Sequence, residues 1–263
     1  MEVRQVECKT AASRSALLGL DWAINPYRGC SHACAYCYAQ DVTRFEMSRP
    51  WGEVVEVKVN IVSRLKGELA KRATGVYGIG TVTDPYQPLE QEYELTRGCL
   101  ELLKNHGASV SILTKSDLVL RDIDLIAACN EAEVGISVGS ANQKVASMVE
   151  PGAPSPDRRF SALRGLSAAG ISTYLMMAPL IPGISDSQES IASVLEHARD
   201  AGVRRVIWDK FNPKPIATSR LKKTLIARGI PFSPATGTDG FGTLRDTVRR
   251  ECGKVGLDIS DAF

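Results

Sequence analysis

Three cysteines fall within eight residues, in Tyr27-Arg-Gly-Cys30-Ser-His-Ala-Cys34-Ala-Tyr-Cys37-Tyr38. The C-x3-C-x2-C spacing puts three thiolates on one tight loop, within reach of three corners of a cubane [4Fe–4S] cluster. No fourth cysteine lies nearby, which leaves one iron without a protein ligand. An open iron is what a cluster needs in order to bind and reduce a small molecule, whereas a ferredoxin that only passes electrons closes all four positions. The competing reading is structural zinc, which prefers four ligands, often as two C-x2-C pairs. Here only His32 stands close enough in sequence to complete such a set. Cys8, Cys99, Cys129 and Cys252 stand alone.

The elements that must hold this loop follow from an alternation of short β-branched runs with longer helical patterns. Val54–Val59 reads as a short strand or extended segment, Ile61–Arg72 as a helix, and Val76–Thr81 as a strand. Gln91–His106 is a helix that Gly107 stops. Ser109–Leu113 is a strand, Arg121–Asn130 a helix and Val134–Val138 a strand. After a proline-rich loop, Ser155 caps a helix beginning at Pro156 and ending at Gly170. The apolar run Ile171–Ala178 reads as a buried parallel strand. A helix over Ser187–Ala201 and a strand over Arg204–Trp208 complete the pattern. With a strand just before the cysteines, about six βα units are expected. That is too few for a closed eight-stranded barrel. The expected division is an N-terminal segment over 1–19, an α/β core over 20–211 and a helical cap over 212–263.

The 263 residues suit one large domain, and 44% hydrophobic with 24% charged residues describe an ordinary globular chain. A formal net charge of +2 points to neither nucleic acid nor membrane. No apolar run is long enough to span a bilayer. Met1–Ala12 carries Glu2, Arg4, Glu7 and Lys9 with no apolar run, so it does not read as a signal peptide. A cytoplasmic location is expected, with the cysteines as thiols or metal ligands.

The cysteine loop matches C-x3-C-x-aromatic-C, with Tyr36 as the aromatic, and so resembles the radical SAM enzymes. Asn25–Ala39, Thr81-Val-Thr-Asp-Pro-Tyr-Gln-Pro-Leu-Glu90, Leu113-Thr-Lys-Ser116, Glu150-Pro-Gly-Ala-Pro-Ser-Pro156 and Pro179-Leu-Ile-Pro-Gly-Ile-Ser-Asp186 further resemble the spore photoproduct lyase branch. The resemblance implies a partial (β/α)6 barrel with a short C-terminal extension. It implies a [4Fe–4S] cluster on Cys30, Cys34 and Cys37, with S-adenosylmethionine on the open iron. It also implies an external reductant such as flavodoxin or ferredoxin.

Site residues follow from that likeness and from position at the C-terminal ends of strands. Lys115 is placed to pair with the methionine carboxylate. Thr83 and Asp84 are placed near the amino group, with a plain Asp-Pro turn as the other reading. Ser137, or Ser140, would bond the methionine group or ribose. Met176, Met177 and Ala178 would line the adenine site, and Tyr36 and Tyr38 would pack around cluster and adenine. Glu150 and Arg159 read as a local ion pair. His106 and His197 read as surface or packing residues. Tyr77, Tyr86, Cys99 and Cys252 are candidate hydrogen donors to a product radical. Between Arg204 and Arg228 stand eight Lys or Arg and one acid, Asp209, which raises a phosphate-binding face or a solvated helix.

Three functions compete on these grounds. The first is radical chemistry, a lyase or related transformation, on a small-molecule or nucleotide-like substrate. The second is a nucleic-acid lesion repair lyase, weakened because residues 38–98 contain no cysteine to donate hydrogen near the Thr83 loop. The third is a non-enzymatic iron–sulfur protein.

Overall fold

A computed structural model describes residues 1–72, 74–233 and 239–262. In chain order its strands are β1 (Glu2–Val6), β2 (Ala12–Arg14), β3 (Trp22–Ile24), β4 (Tyr27–Arg28), β5 (Val54–Lys58), β6 (Val76–Ile79), β7 (Ser109–Thr114), β8 (Glu131–Ser137), β9 (Ser172–Leu180), β10 (Arg205–Lys210) and β11 (Asp258–Asp261). The helices are α1 (Ala39–Thr43), α2 (Ile61–Leu69), α3 (Glu90–Tyr93), α4 (Leu95–His106), α5 (Ile123–Ile126), α6 (Gln143–Val149), α7 (Pro156–Ala168), α8 (Gln188–Asp200), α9 (Pro215–Ile226) and α10 (Asp239–Val255).

Local chemistry explains the principal boundaries. Ser155 accepts the Arg158 amide at 3.3 Å with Pro156 in the first turn of α7, and Ser187 caps α8 in the same way. Gly107 ends α4 with φ of +69°, a conformation that favours glycine.

The large sheet runs β11-β10-β9-β8-β7-β6-β3-β2. From β3 through β6 to β10 every neighbouring pair is parallel, and successive units lie side by side. The end strands β2 and β11 do not pair with each other, so the sheet is an open, partial barrel rather than a closed one. Ile112, Val134, Ile136, Leu175 and Val206 from the strands pack with Leu100, Leu103, Leu163, Leu166 and Leu195 from the helices in one buried core. The hydrophobic effect acting on such side chains, about 1.5–3 kcal/mol each, holds the layers together.

Four elements differ from expectation, two of them helices. The one expected over 91–106 breaks at Glu94 into α3 and α4, and the one expected over 121–130 shortens to α5 behind a 3-10 turn over Asp117–Asp122. Val54–Lys58 is a strand but lies outside the large sheet; it joins a three-stranded sheet of order β1-β5-β4. There β4, which leads directly into the cysteine loop, pairs antiparallel with β5, and the Lys58 ammonium donates to the Asn25 carbonyl at 2.9 Å. The stretch after Phe211 is also more than helices. Following α9 and α10, β11 adds in parallel to β10 as the last strand of the large sheet. Residues 234–238 and 263 of the expected cap lie outside the described residues.

Candidate functional site

The cysteine loop leaves β4 through Gly29, whose φ is +87°; a Cβ there would come within 2.4 Å of the Val54 carbonyl oxygen. Inside the loop Ala33 takes a φ of 53°, with turn hydrogen bonds from Ala33 N to Cys30 O at 3.2 Å and from Cys37 N to Cys34 O at 3.1 Å. Cys30 and Cys34 are buried and Cys37 is half-buried. Burial pushes all three thiols upward, Cys34 to about 12, while Lys115 draws Cys34 and Cys37 back down. Thiols held this way become thiolates only against a strong local charge, as a coordinated metal supplies.

The segment Thr81–Glu90, which follows β6, acts as a brace for this loop. Thr83 Oγ1 donates to the Gly29 carbonyl at 2.6 Å, and the Ser31 amide donates to Gln87 Oε1 at 2.9 Å. Tyr27 donates its hydroxyl proton to Glu90 at 2.5 Å. The His32 ring sits 3.3 Å from Asp84, with both side chains buried. Asp84 also accepts from the Tyr86 amide at 2.9 Å, the Thr114 hydroxyl at 2.6 Å and the Lys115 amide at 2.8 Å. Burial alone would raise its carboxyl; His32, Thr114 and the Lys115 amide together hold it well below the usual carboxylate range. Asp84 thus joins the cysteine loop, the β6 loop and the end of β7, and its oxygens are engaged by protein donors.

From the other side, the Ala35 amide donates to Val149 O at 2.7 Å and the Gly152 amide to His32 O at 3.0 Å. Tyr36 donates its hydroxyl proton to Glu150, and Glu150 pairs with Arg159 at 2.6 Å, both ends of the pair buried. The local ion pair read from sequence is therefore present. Arg159 further donates to the Ser137 carbonyl at 3.1 Å, tying the proline-rich loop to the end of β8.

Lys115 stands at the centre of these braces. Its ammonium lies 5.7 Å from the Tyr36 ring centroid and forms no salt bridge with any described residue. Burial opposes its charge, but Cys34 and Glu150 outweigh that and raise its pKa. A cation with no partner carboxylate, beside two thiols, is an anion-binding position.

The other expected residues fall into distinct settings. Tyr38 is 47% exposed, with its hydroxyl on the Thr81 carbonyl at 3.0 Å. Ser137 Oγ reaches Ala178 O at 3.4 Å, and Ser140 Oγ accepts the Asn142 amide at 3.1 Å. Met177 is wholly buried in the main core, whereas Met176 and Ala178 on β9 are half-buried. Tyr77, Cys99 and Cys252 are also wholly buried there, on β6, α4 and α10. Tyr86 differs. With His32, Gln91, Ser116, Arg121 and Gly152 it lines a cleft of about 530 Å³ beside the cysteine loop. His197 stacks on Phe160 at 5.0 Å, a packing role.

The basic run is not one continuous face. Arg205 pairs with Glu133, Arg228 donates to Thr224 O, and Arg220 turns inward to the cysteine loop. Arg204, Lys214, Lys222 and Lys223 are exposed. Gln87 and Glu90 carry no site signal in the sequence, His32 reads there only as a possible zinc ligand and Arg220 only as one cation of the basic run. The first two lie in a motif whose register with Gly29 and Tyr27 appears only in three dimensions.

Among the described residues no three His, Cys, Asp or Glu converge as a single-ion site. The loop offers three thiols spread along one turn, a donor set suited to a multi-iron cluster rather than to one tetrahedral ion.

The sequence pattern of the Radical SAM superfamily matches residues 24–195. An uncharacterized protein of Methanocaldococcus jannaschii is 35% identical over 71% of this chain and 70% of its own length. A Mycobacterium tuberculosis relative is 34% identical over 77% of this chain, which spans 63% of that longer protein. A radical SAM Nalpha-GlyT isomerase of Pseudomonas phage M6 is 27% identical over 69% of this chain and 38% of its own length. Among solved structures, spore photoproduct lyase complexed with dinucleoside spore photoproduct superposes with a TM-score of 0.73, at 18% identity, over 99% of this chain and 82% of that one. At that identity the likeness is one of fold.

Proposed function

Because the chain belongs to the radical SAM superfamily, and is by that membership an enzyme, we propose that Cys30, Cys34 and Cys37 hold a [4Fe–4S] cluster whose open iron takes S-adenosylmethionine. When bound, that pair supplies one-electron cleavage of the sulfonium to a 5′-deoxyadenosyl radical, which takes hydrogen from an unactivated C–H bond. The observation that carries the reading is the Lys115 ammonium, free of any salt bridge to a described residue and beside Cys34 and Cys37.

In this reading Lys115 pairs with the methionine carboxylate. Asp84 is a positioning residue, fixing His32 and the Lys115 backbone rather than meeting the cofactor with a free carboxylate. Tyr36, held by Glu150, presents its ring beside Lys115. Ser137, Ser140 and Ala178, at the ends of β8 and β9, border the adenosyl group. Tyr86 is the hydrogen-donor candidate that lines a cleft. Residues 20–211 form the catalytic core, with 1–19 and the described residues of 212–262 folded onto it.

The substrate we favour is a small or nucleotide-like molecule. A nucleic-acid substrate is the second reading, supported by the exposed Lys214, Lys222 and Lys223 on and beside α9. No helix among the described residues is long and apolar enough to cross a membrane. A cytoplasmic setting with a flavodoxin- or ferredoxin-like reductant belongs to the proposal.

The test is anaerobic reconstitution followed by dithionite and S-adenosylmethionine. Wild-type protein should bind about four irons per chain and release 5′-deoxyadenosine; Cys30→Ala, Cys34→Ala and Cys37→Ala should do neither. An intact cluster in Cys34→Ala would refute the ligand set.

A further inference from the structure

The superfamily match ends at residue 195, yet the cysteine loop is also gripped by a side chain well beyond it. Arg220, in the middle of α9, donates from Nε to the Ala35 carbonyl at 2.9 Å, from Nη1 to Gln40 Oε1 at 2.9 Å, and from Nη2 to the Cys37 carbonyl. Three guanidinium nitrogens therefore bind the loop that runs from just after Cys34 to just after Cys37.

The same helix is anchored to that loop at its start. Asp41, four residues after Cys37, accepts the Ile216 amide at 2.9 Å and the Ala217 amide at 3.0 Å, satisfying open donors at the first turn of α9. Ala35, Leu221 and Leu225 share one apolar cluster. The Arg220 guanidinium also lies 5.8 Å from the Trp51 ring, and Trp51 packs with Cys30. A half-buried cation with this much geometry invested in it, beside the thiols of Cys34 and Cys37, acts electrostatically on whatever charge those thiols carry.

We propose that Arg220 is a positioning and tuning residue for the cluster: it fixes the Cys34–Cys37 half of the loop and raises the cluster's reduction potential. This rests on the cluster reading above. Reduction adds one negative charge to the cluster, so a nearby fixed cation stabilises the reduced form. The fork and the charge are separable. Lysine keeps the charge but cannot reproduce three directed N–H contacts, and glutamine removes the charge.

The experiment compares reconstituted wild type, R220K, R220Q and the control K222Q, whose lysine is exposed on the same helix. Iron retention, the electron paramagnetic resonance signal of the reduced cluster and the midpoint potential are measured. In R220Q the ratio of reduced to oxidised cluster at a fixed poise should fall about tenfold, equivalent to about 59 mV for one electron. R220K should keep the wild-type midpoint but lose iron faster on dilution, and K222Q should match wild type throughout. If R220Q retains no cluster, R220K decides alone. Faster iron loss at an unchanged midpoint supports the proposal, and wild-type retention overturns it. A wild-type midpoint and retention in R220Q, or an equal shift in K222Q, would also overturn it. Absence of any cluster in the wild-type chain would instead sink the ligand assignment itself.

Discussion

At Lys115 the loop meets a half-buried cation without a salt-bridge partner among the described residues, and this distinguishes it from the buried charges of the site. Glu150 and Arg159 satisfy each other, and Asp84 accepts from three protein donors with the His32 ring 3.3 Å away. Lys115→Ala should leave iron binding intact and weaken S-adenosylmethionine binding at least about tenfold, since a hydrogen bond to a charged group is worth about 1.5–3 kcal/mol. Equilibrium dialysis with labelled cofactor measures this, and unchanged affinity would return Lys115 to an ordinary solvated lysine. Glu150 answers to a different measurement. Replacing it with Gln leaves Arg159 buried and unpaired, so stability should fall by about 3–5 kcal/mol in urea unfolding. Burial raises the Glu150 carboxyl but Arg159 and Lys115 outweigh it, so its pKa in the folded chain is lowered. A carboxyl lowered on folding stabilises fully above its unfolded pKa of roughly 4.3, and that stabilisation is lost as pH falls towards the folded value. Wild type should therefore lose stability in acid more steeply than Glu150→Gln. Parallel acid limbs would argue against the pair.

The elements around the loop work by close approach. A Cβ on Gly152 would sit 2.2 Å from the Ser31 carbonyl oxygen, a backbone atom that cannot swing aside. Gly152→Ala should therefore push the proline-rich loop off the cysteine loop, costing about 1–3 kcal/mol by overpacking and lowering iron uptake. Gly67→Ala, in α2 with nothing within 4 Å, should be neutral or stabilising. Equal effects from the two would remove the steric argument. Elements of this kind differ in how well a sequence displays them. The β6-to-β10 alternation is plain because buried parallel strands are written as β-branched runs and their helices carry serine caps and glycine stops. Val54–Lys58 reads as the same sort of strand, since nothing local tells which sheet a short apolar run joins. Asp258-Ile-Ser-Asp261 is polar enough to pass for a loop, and it becomes a strand because β10 offers it an edge.

For the whole molecule, the same contrast separates what local motifs carry from what only folding assembles. The cysteines, Asp84 and Lys115 lie in short motifs at strand ends and are legible one by one. Arg220 reaches Cys37 across 183 residues of chain, and in the sequence it is one basic residue among eight. That inward turn also bears on the substrate. With Arg220 turned onto the loop and Arg205 paired to Glu133, the run from Arg204 to Arg228 is not a row of free cations, although Arg204, Lys214, Lys222, Lys223 and Arg228 are exposed. A small or nucleotide-like substrate then implies only weak, nonspecific affinity for DNA or RNA. If instead Lys222 and Lys223 grip phosphates, affinity should fall steeply with salt, and reversing both to Glu should reduce the slope of log affinity against log salt by about two. Neither lysine meets the cysteine loop, so 5′-deoxyadenosine formation should be unaffected by the reversal. Fluorescence anisotropy with single- and double-stranded oligonucleotides across a salt series reads both numbers. Near-micromolar binding at physiological salt, lost with those two lysines, would put the nucleic-acid substrate first. Binding that stays weak and indifferent to them leaves the open ends of β6 to β10 as the place where substrate is chosen.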